Sequence, residues 1–141
     1  MNSAQGVQHE RGILDTSAVI VLTSTPAEFL PRLSLITAVT LAELSVGPLL
    51  AKSEQVRNTR QGNLQVAEAS FDPLPFDAAA ARAFGRVAAS LRRSGRKANA
   101  RAYDAMIAAT ALANDLPVYT CNPDDFSGID GLEVIAVPVP E

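Results

Sequence analysis

With 141 residues, 48% of them apolar, the chain has the size of one domain with a real core. Its single cysteine excludes an internal disulfide, and one histidine with one cysteine cannot build a zinc cluster, a His-pair ribonuclease site or a well-supported Ser-His-Asp triad. The net charge of −3 looks wrong for a nucleic-acid enzyme, yet seven of the twelve basic residues lie between positions 82 and 101, with no Asp or Glu among them.

Residues 1–11 are polar, lack the basic-then-apolar pattern of a signal peptide and read as a flexible tail, in which His9 has no assigned role. A single domain is expected over 12–141. No apolar run reaches the ~18–20 residues that span a bilayer, so a cytoplasmic protein without membrane contact is expected. Gly12-Ile13-Leu14 reads as a short buried strand with Asp15 at its C-terminal end. Thr16 and Ser17 are good capping residues for a short helix over 18–22, which Ser24-Thr25-Pro26 ends. Leu33 to Val39 reads as a second strand, after which Thr40 opens a helix carrying Glu43, interrupted near Gly47-Pro48.

Residues 54–69 read as a more polar helix. The segment 71–76 holds two prolines and suits an edge strand or an irregular link. Asp77 caps the next helix, expected to run to about Arg93, with Ala80, Phe84, Val87, Ala88 and Leu91 on one face. Arg82, Arg86 and Arg93 occupy the opposite face, with Lys97 in line if the helix continues. After a loop at 94–97, an Ala-rich helix spans 100–114 and carries Asp104 near its start. Residues 117–121 form a strand, 122–125 a turn, and 132–137 a final strand. Alternating strands and helices predict an α/β fold, three-layered α/β/α, with a central parallel sheet of four or five strands.

Ligands of such sheets sit beyond the C-terminal strand ends, and Asp15, Glu43 and Asp125 all follow inferred strands. Each also stands beside apolar runs, where a carboxylate is costly unless something positive compensates it. Four converging acids would repel one another, and a divalent cation with oxygen ligands, Mg²⁺ or Mn²⁺, is the simplest remedy. Each acid has a blander reading. Asp15 could be only a helix cap, Glu43 a solvated helix residue, Asp104 a complement to a helix N-terminus, and Asn122-Pro123-Asp124-Asp125 a plain turn. Cys121 reads as a small core residue rather than a nucleophile. The basic stripe could be a merely solvated face, but its lack of acidic partners suits phosphate contacts, with Arg101, one turn from Asp104, the best placed.

Ile13-Leu14-Asp15-Thr16-Ser17, Ala38-Val39-Thr40-Leu41-Ala42-Glu43-Leu44, Tyr103-Asp104-Ala105-Met106-Ile107-Ala108-Ala109-Thr110-Ala111 and the Thr120-x-Asn122-x-x-Asp125-Phe126 turn follow one another in an order and spacing that resembles the PIN-domain family, and within it the VapC-type toxins of bacterial toxin–antitoxin pairs. The resemblance covers roughly residues 12–137. It implies a Mg²⁺- or Mn²⁺-dependent endoribonuclease whose acids are Asp15, Glu43, Asp104 and Asp125, with 5′-phosphate and 3′-hydroxyl products. Thr16 or Ser17 would support the site and Asn122 would shape the last turn. Asp124 competes with Asp125 for the fourth position, and the Asn-x-x-Asp-Phe match favours Asp125. The resemblance further implies an RNA substrate, a cognate antitoxin that inhibits the enzyme, and a homodimer; the apolar segments 33–35 and 46–50 are places for such contacts.

Other readings are weaker. A phosphoacceptor receiver needs a lysine after a late strand, and Lys52 and Lys97 are poorly placed for it. A haloacid-type phosphatase needs Asp-x-Asp, where this chain has Asp15-Thr16-Ser17. The alternative left standing is a catalytically silent PIN-like module that binds RNA or protein.

Overall fold

The computed structural model describes residues 8–97 and 101–140. Residues 1–7 of the expected tail, Ala100 at the expected start of the last helix, and Glu141 lie outside the described residues. Four short strands, β1 (Arg11–Leu14), β2 (Leu33–Leu35), β3 (Val118–Thr120) and β4 (Val134–Ala136), form one sheet in the order β2-β1-β3-β4. All pairings are parallel, with Ile13 beside Leu35 and Val118, and Val118 beside Val134. Parallel neighbours need long crossovers; the link from β3 to β4 carries only a 3₁₀ turn, whereas five helices lie between β1 and β3. These are α1 (Thr16–Ile20), α2 (Ala38–Val46), α3 (Glu54–Ser70), α4 (Ala78–Arg93) and α5 (Ala102–Ala113).

The pleat sorts the core into two halves. Ile13 and Val118 turn to one face and pack with Ala83, Val87 and Leu91 of α4 and Ile107, Ala108 and Ala111 of α5. Their neighbours Leu14 and Tyr119 turn to the other face and pack with Ala18 and Val19 of α1, Leu44 of α2 and Ala67 of α3. The small residues of α4 and α5 let these two helices pack against each other more extensively than any other pair of elements. This is the expected three-layer α/β/α fold, with four strands.

Several boundaries differ from the sequence reading, each for a local reason. The Asp15 side chain, not Thr16 or Ser17, caps α1 by accepting from Ala18 N–H at 3.0 Å. The second strand stops at Leu35, short of Val39, because the Thr37 hydroxyl accepts from Thr40 N–H at 3.1 Å and starts α2 at Ala38. The proline-rich link touches the sheet edge through a single bridge between Thr37 and Leu74. On α4 the buried face includes Ala83 and Ser90, while Phe84 is half-buried and meets Phe76 edge-on.

The first strand begins at Arg11, one residue before Gly12. Arg11 pairs in β1, His9 Nε2 lies 2.9 Å from Glu133, and the His9 ring meets Tyr119 edge-on. Gly12 is required beside that ring: a Cβ there would stand 2.5 Å from Tyr119 and 3.2 Å from Pro31. Among the described residues no helix is long and apolar enough to cross a membrane.

Candidate active site

The strand order reverses direction between β1 and β3, and the chain leaves both strands on the same side of the sheet. Such switch points open a crevice at the carboxyl ends of the strands. Asp15 follows β1, Asp125 lies in the 3₁₀ turn after β3, Glu43 sits on α2 and Asp104 in the first turn of α5. The fold thus brings residues 15, 43, 104 and 125 to one end of the sheet. The sign of this is their mutual repulsion: Asp125, Glu43 and Asp15 all act on Asp104, and Asp15 acts on Glu43.

Asp15 is the most buried acid, only 5% exposed. Both oxygens are held. Oδ1 accepts from Ser17 Oγ at 2.7 Å and from Ala18 N–H, and Oδ2 accepts from Thr120 Oγ1 at 2.6 Å. Burial nonetheless pushes its pKa up against these hydrogen bonds, which stabilise the charge, and Asp125 adds repulsion. Glu43 is raised mainly by burial; Thr16 Oγ1 donates to its Oε1 at 2.7 Å and works against that rise. Thr16 Oγ1 also stands 3.2 Å from the buried Thr40 hydroxyl, which ties α1 to α2 beneath the site. Asp104 carries the largest consequence. Burial, then the charges of Asp125, Glu43 and Asp15, push it to about 6, with Arg101 only partly offsetting them.

Asp125 is half-buried and its Oδ1 accepts from Arg101 Nη1 in an ion pair. Asp124 is exposed, and its backbone carbonyl, not its carboxylate, is engaged, accepting from Arg96 Nη1 at 3.1 Å. Asn122 contributes through its backbone: its N–H donates to Thr120 Oγ1 at 2.9 Å and its carbonyl accepts from Asp125 N–H at 3.0 Å. Its side chain is exposed and makes no cap. Ser17 has a second task, because its Oγ accepts from Cys121 N–H at 3.0 Å and pins the β3 exit to α1. Thr120 lies in the last motif but has no assigned role in the sequence reading. It is fully buried and links Asp15 to the turn that carries Asp125.

The donor set is all oxygen. His9 pairs with Glu133 rather than with any of the four acids, and burial raises the Cys121 thiol, which keeps it protonated. Hard divalent cations suit such a set. Among the described residues no three His, Cys, Asp or Glu side chains are already drawn in as an ion cage. Carboxylates that repel one another do not close on a point unaided.

The basic residues divide into two groups. Arg96, Lys97 and Arg101 stand with Asp125 around one recess beside the acids. Arg86 and Arg93 line a different recess with Ser90 and Asp130, and Asp130 neutralises Arg93. Arg82 is exposed on α4. Among the described residues the acids therefore have three nearby cations, and Arg101 alone touches one of the acids.

Comparison with known proteins finds relatives over most of the chain. The model of the PIN domain family matches residues 12–132. The chain is 39% identical over 132 residues to ribonuclease VapC5 of Mycobacterium tuberculosis, covering 89% of this chain and 95% of that protein. It is 32% identical over 127 residues to the tRNA(fMet)-specific endonuclease VapC of Shigella flexneri, covering 85% and 92%. The solved structure of VapBC-5 from Mycobacterium tuberculosis, a member of the VapBC family of toxin–antitoxin systems, matches with a TM-score of 0.78 at 39% identity, over 91% of this chain and 99% of that one. DNA-bound VapBC from Salmonella typhimurium matches with a TM-score of 0.68 at 26% identity, over 90% and 97%.

Proposed function

The chain belongs to the PIN-domain family and to its VapC ribonuclease branch, and we propose that it is a Mg²⁺- or Mn²⁺-dependent endoribonuclease, the toxin of a toxin–antitoxin pair, held inactive by a cognate antitoxin. The observation that carries the reading is the crowding at Asp104. An acid raised to about 6 by burial and three like charges is a site that wants a cation.

Asp15 and Asp104 would be the direct ligands, with Glu43 and Asp125 completing the pocket. Mg²⁺ or Mn²⁺ held there supplies Lewis-acid activation of water and neutralises charge on the phosphoryl oxygens. The protein residues do the rest. Thr120, Ser17 and Ala18 N–H fix both oxygens of Asp15, so it cannot swing away. Thr16 aims Glu43, whose free oxygen is available to take a proton from the attacking water. Arg101 exchanges Asp125 for the phosphate as RNA enters. In-line attack then leaves a 5′-phosphate and a 3′-hydroxyl. No step needs histidine.

The partner reading rests on the solved VapBC relatives and on an apolar surface around the α2–α3 connection, where Leu49 is 82% and Leu50 69% exposed, with Ile20 and Leu33 exposed as well. Patches of this kind mark protein contacts. They suit the antitoxin or a second copy of the chain.

The test is to incubate the purified chain, freed of antitoxin, with total cellular RNA and Mn²⁺ or Mg²⁺, and to map new 5′-phosphate ends. Discrete cuts that vanish with chelator and in Asp104→Asn are expected. Absence of such cuts from a folded, metal-binding chain would overturn the nuclease reading in favour of the silent binding module.

A further inference from the structure

Next to the acids, between the C-terminal end of α4, the start of α5 and the turn after β3, a recess of about 150 Å³ opens to solvent. Its floor is Leu91, Ala105 and Ile129, all buried and apolar. Its rim is Arg96, Lys97 and Arg101, and Asp125 closes the side toward the other acids. Two of the three cations are already positioned: Arg96 donates to the Asp124 carbonyl, and Arg101 pairs with Asp125.

This combination is wrong for a simple anion site. A phosphate has no apolar face to lay on Leu91 and Ile129, and a carboxylate wall would repel it. It is also small, well under the ~300–1,000 Å³ of pockets that enclose drug-sized ligands. A single nucleobase satisfies every part. Its ring rests on the apolar floor and against an arginine, as unstacked bases of single-stranded RNA do. Its own backbone phosphates fall at the cationic rim.

We propose that this recess binds one unpaired nucleobase of the substrate beside the scissile phosphate, and so sets the nucleotide preference at one position of the cut. The inference rests on the ribonuclease reading and adds a specificity determinant to it. Ala105 is the residue to change. It lines the recess, lies one position after Asp104 on α5 and touches none of the four acids through a hydrogen bond, so a larger side chain there fills the recess.

The experiment takes an RNA oligonucleotide spanning a mapped cut and replaces each nucleotide in turn with an abasic one. The kcat/KM of the wild-type chain and the binding of the Asp104→Asn chain, by fluorescence anisotropy, are read for each. One position is expected to lose about tenfold in both, the size of one stacked base. In Ala105→Leu that position becomes indifferent while the others keep their values, and the melting temperature shows that the chain is folded. Ala105→Val, which fills less of the recess, serves where leucine is not accommodated. If the wild type cuts but its scan is flat, or Ala105→Leu leaves the sensitive position unchanged, the base pocket is overturned and the nuclease stands. If the wild type neither cuts nor binds RNA, both fall.

Discussion

Asp104→Asn is expected to make the metal-free protein more stable while abolishing cleavage. The folded carboxyl sits at about 6 against an ordinary 3.8. At ~1.4 kcal/mol per pKa unit, that rise corresponds to about 3 kcal/mol of strain in the ionised form. Asp104 is half-buried, so water screens part of it, and about 1–2 kcal/mol is the figure to expect. Because the folded acid binds its proton more tightly than the unfolded one, the folded state holds more protons between pH 3.8 and about 6. Stability therefore falls as pH rises through that window and is flat above it. Asparagine keeps the shape and drops the charge. Urea unfolding in chelator should show the variant ahead by about 1–2 kcal/mol at pH 7.5, and the gap should narrow as pH falls below about 6 and close only near pH 3.8, where the unfolded carboxyl is protonated too. At ~2–4 °C per kcal/mol, the melting temperature at pH 7.5 rises by roughly 2–8 °C. Saturating Mn²⁺ reverses the order, adding ~2.7 kcal/mol to the wild type at a hundred times its dissociation constant and nothing comparable to the variant. A variant less stable than wild type at pH 7.5, or a gap indifferent to pH, would refute the claim that this acid is crowded and desolvated.

Other substitutions separate support from chemistry. Thr120→Val removes the 2.6 Å donor to buried Asp15 and should cost about 1.5–3 kcal/mol in denaturant unfolding, with weaker Mn²⁺ binding by calorimetry. Thr16→Val frees Glu43 and should lower kcat at least tenfold with KM little changed, since it misdirects a group that acts on water rather than on RNA. Arg101→Gln should weaken RNA binding across sequences and reduce the salt slope of the affinity by about one, while its exposed ion pair costs at most ~1 kcal/mol of stability. Gly12→Ala should destabilise by over 1 kcal/mol, because the new Cβ meets Tyr119 at 2.5 Å; an unchanged midpoint would show that the ring moves freely.

The acids were legible in the sequence because each breaks an apolar pattern at a strand or helix end, and the fold brings all four to one end of the sheet. The layers were legible for a related reason: helix and strand periods alternate along the chain. What stayed hidden depends on contacts between distant residues. Thr120 looks like any β-branched strand residue until Asp15 is known to lie beside it, 105 positions away. His9 belongs to a polar run with no periodicity, and distant residues hold it in place: Glu133, Tyr119 and Arg32, whose N–H donates to the His9 carbonyl. The basic stripe looked uniform because its neutralising partners, Asp125 and Asp130, come from outside the stripe. Local patterns also misjudged the end of the second strand, where a single threonine hydroxyl was enough to start a helix.

The span from Asp15 to Thr120 has a meaning in time as well as in space. Strand β1 is made first, yet its neighbour β3, with the hydroxyl that fixes Asp15, is added 105 residues later. At ~5–20 residues per second, a growing chain spends roughly 5–20 s with its first acid unanchored and its last acid not yet translated. The site is therefore completed only after β3 and the turn that follows it have been made, however early its first acid emerges.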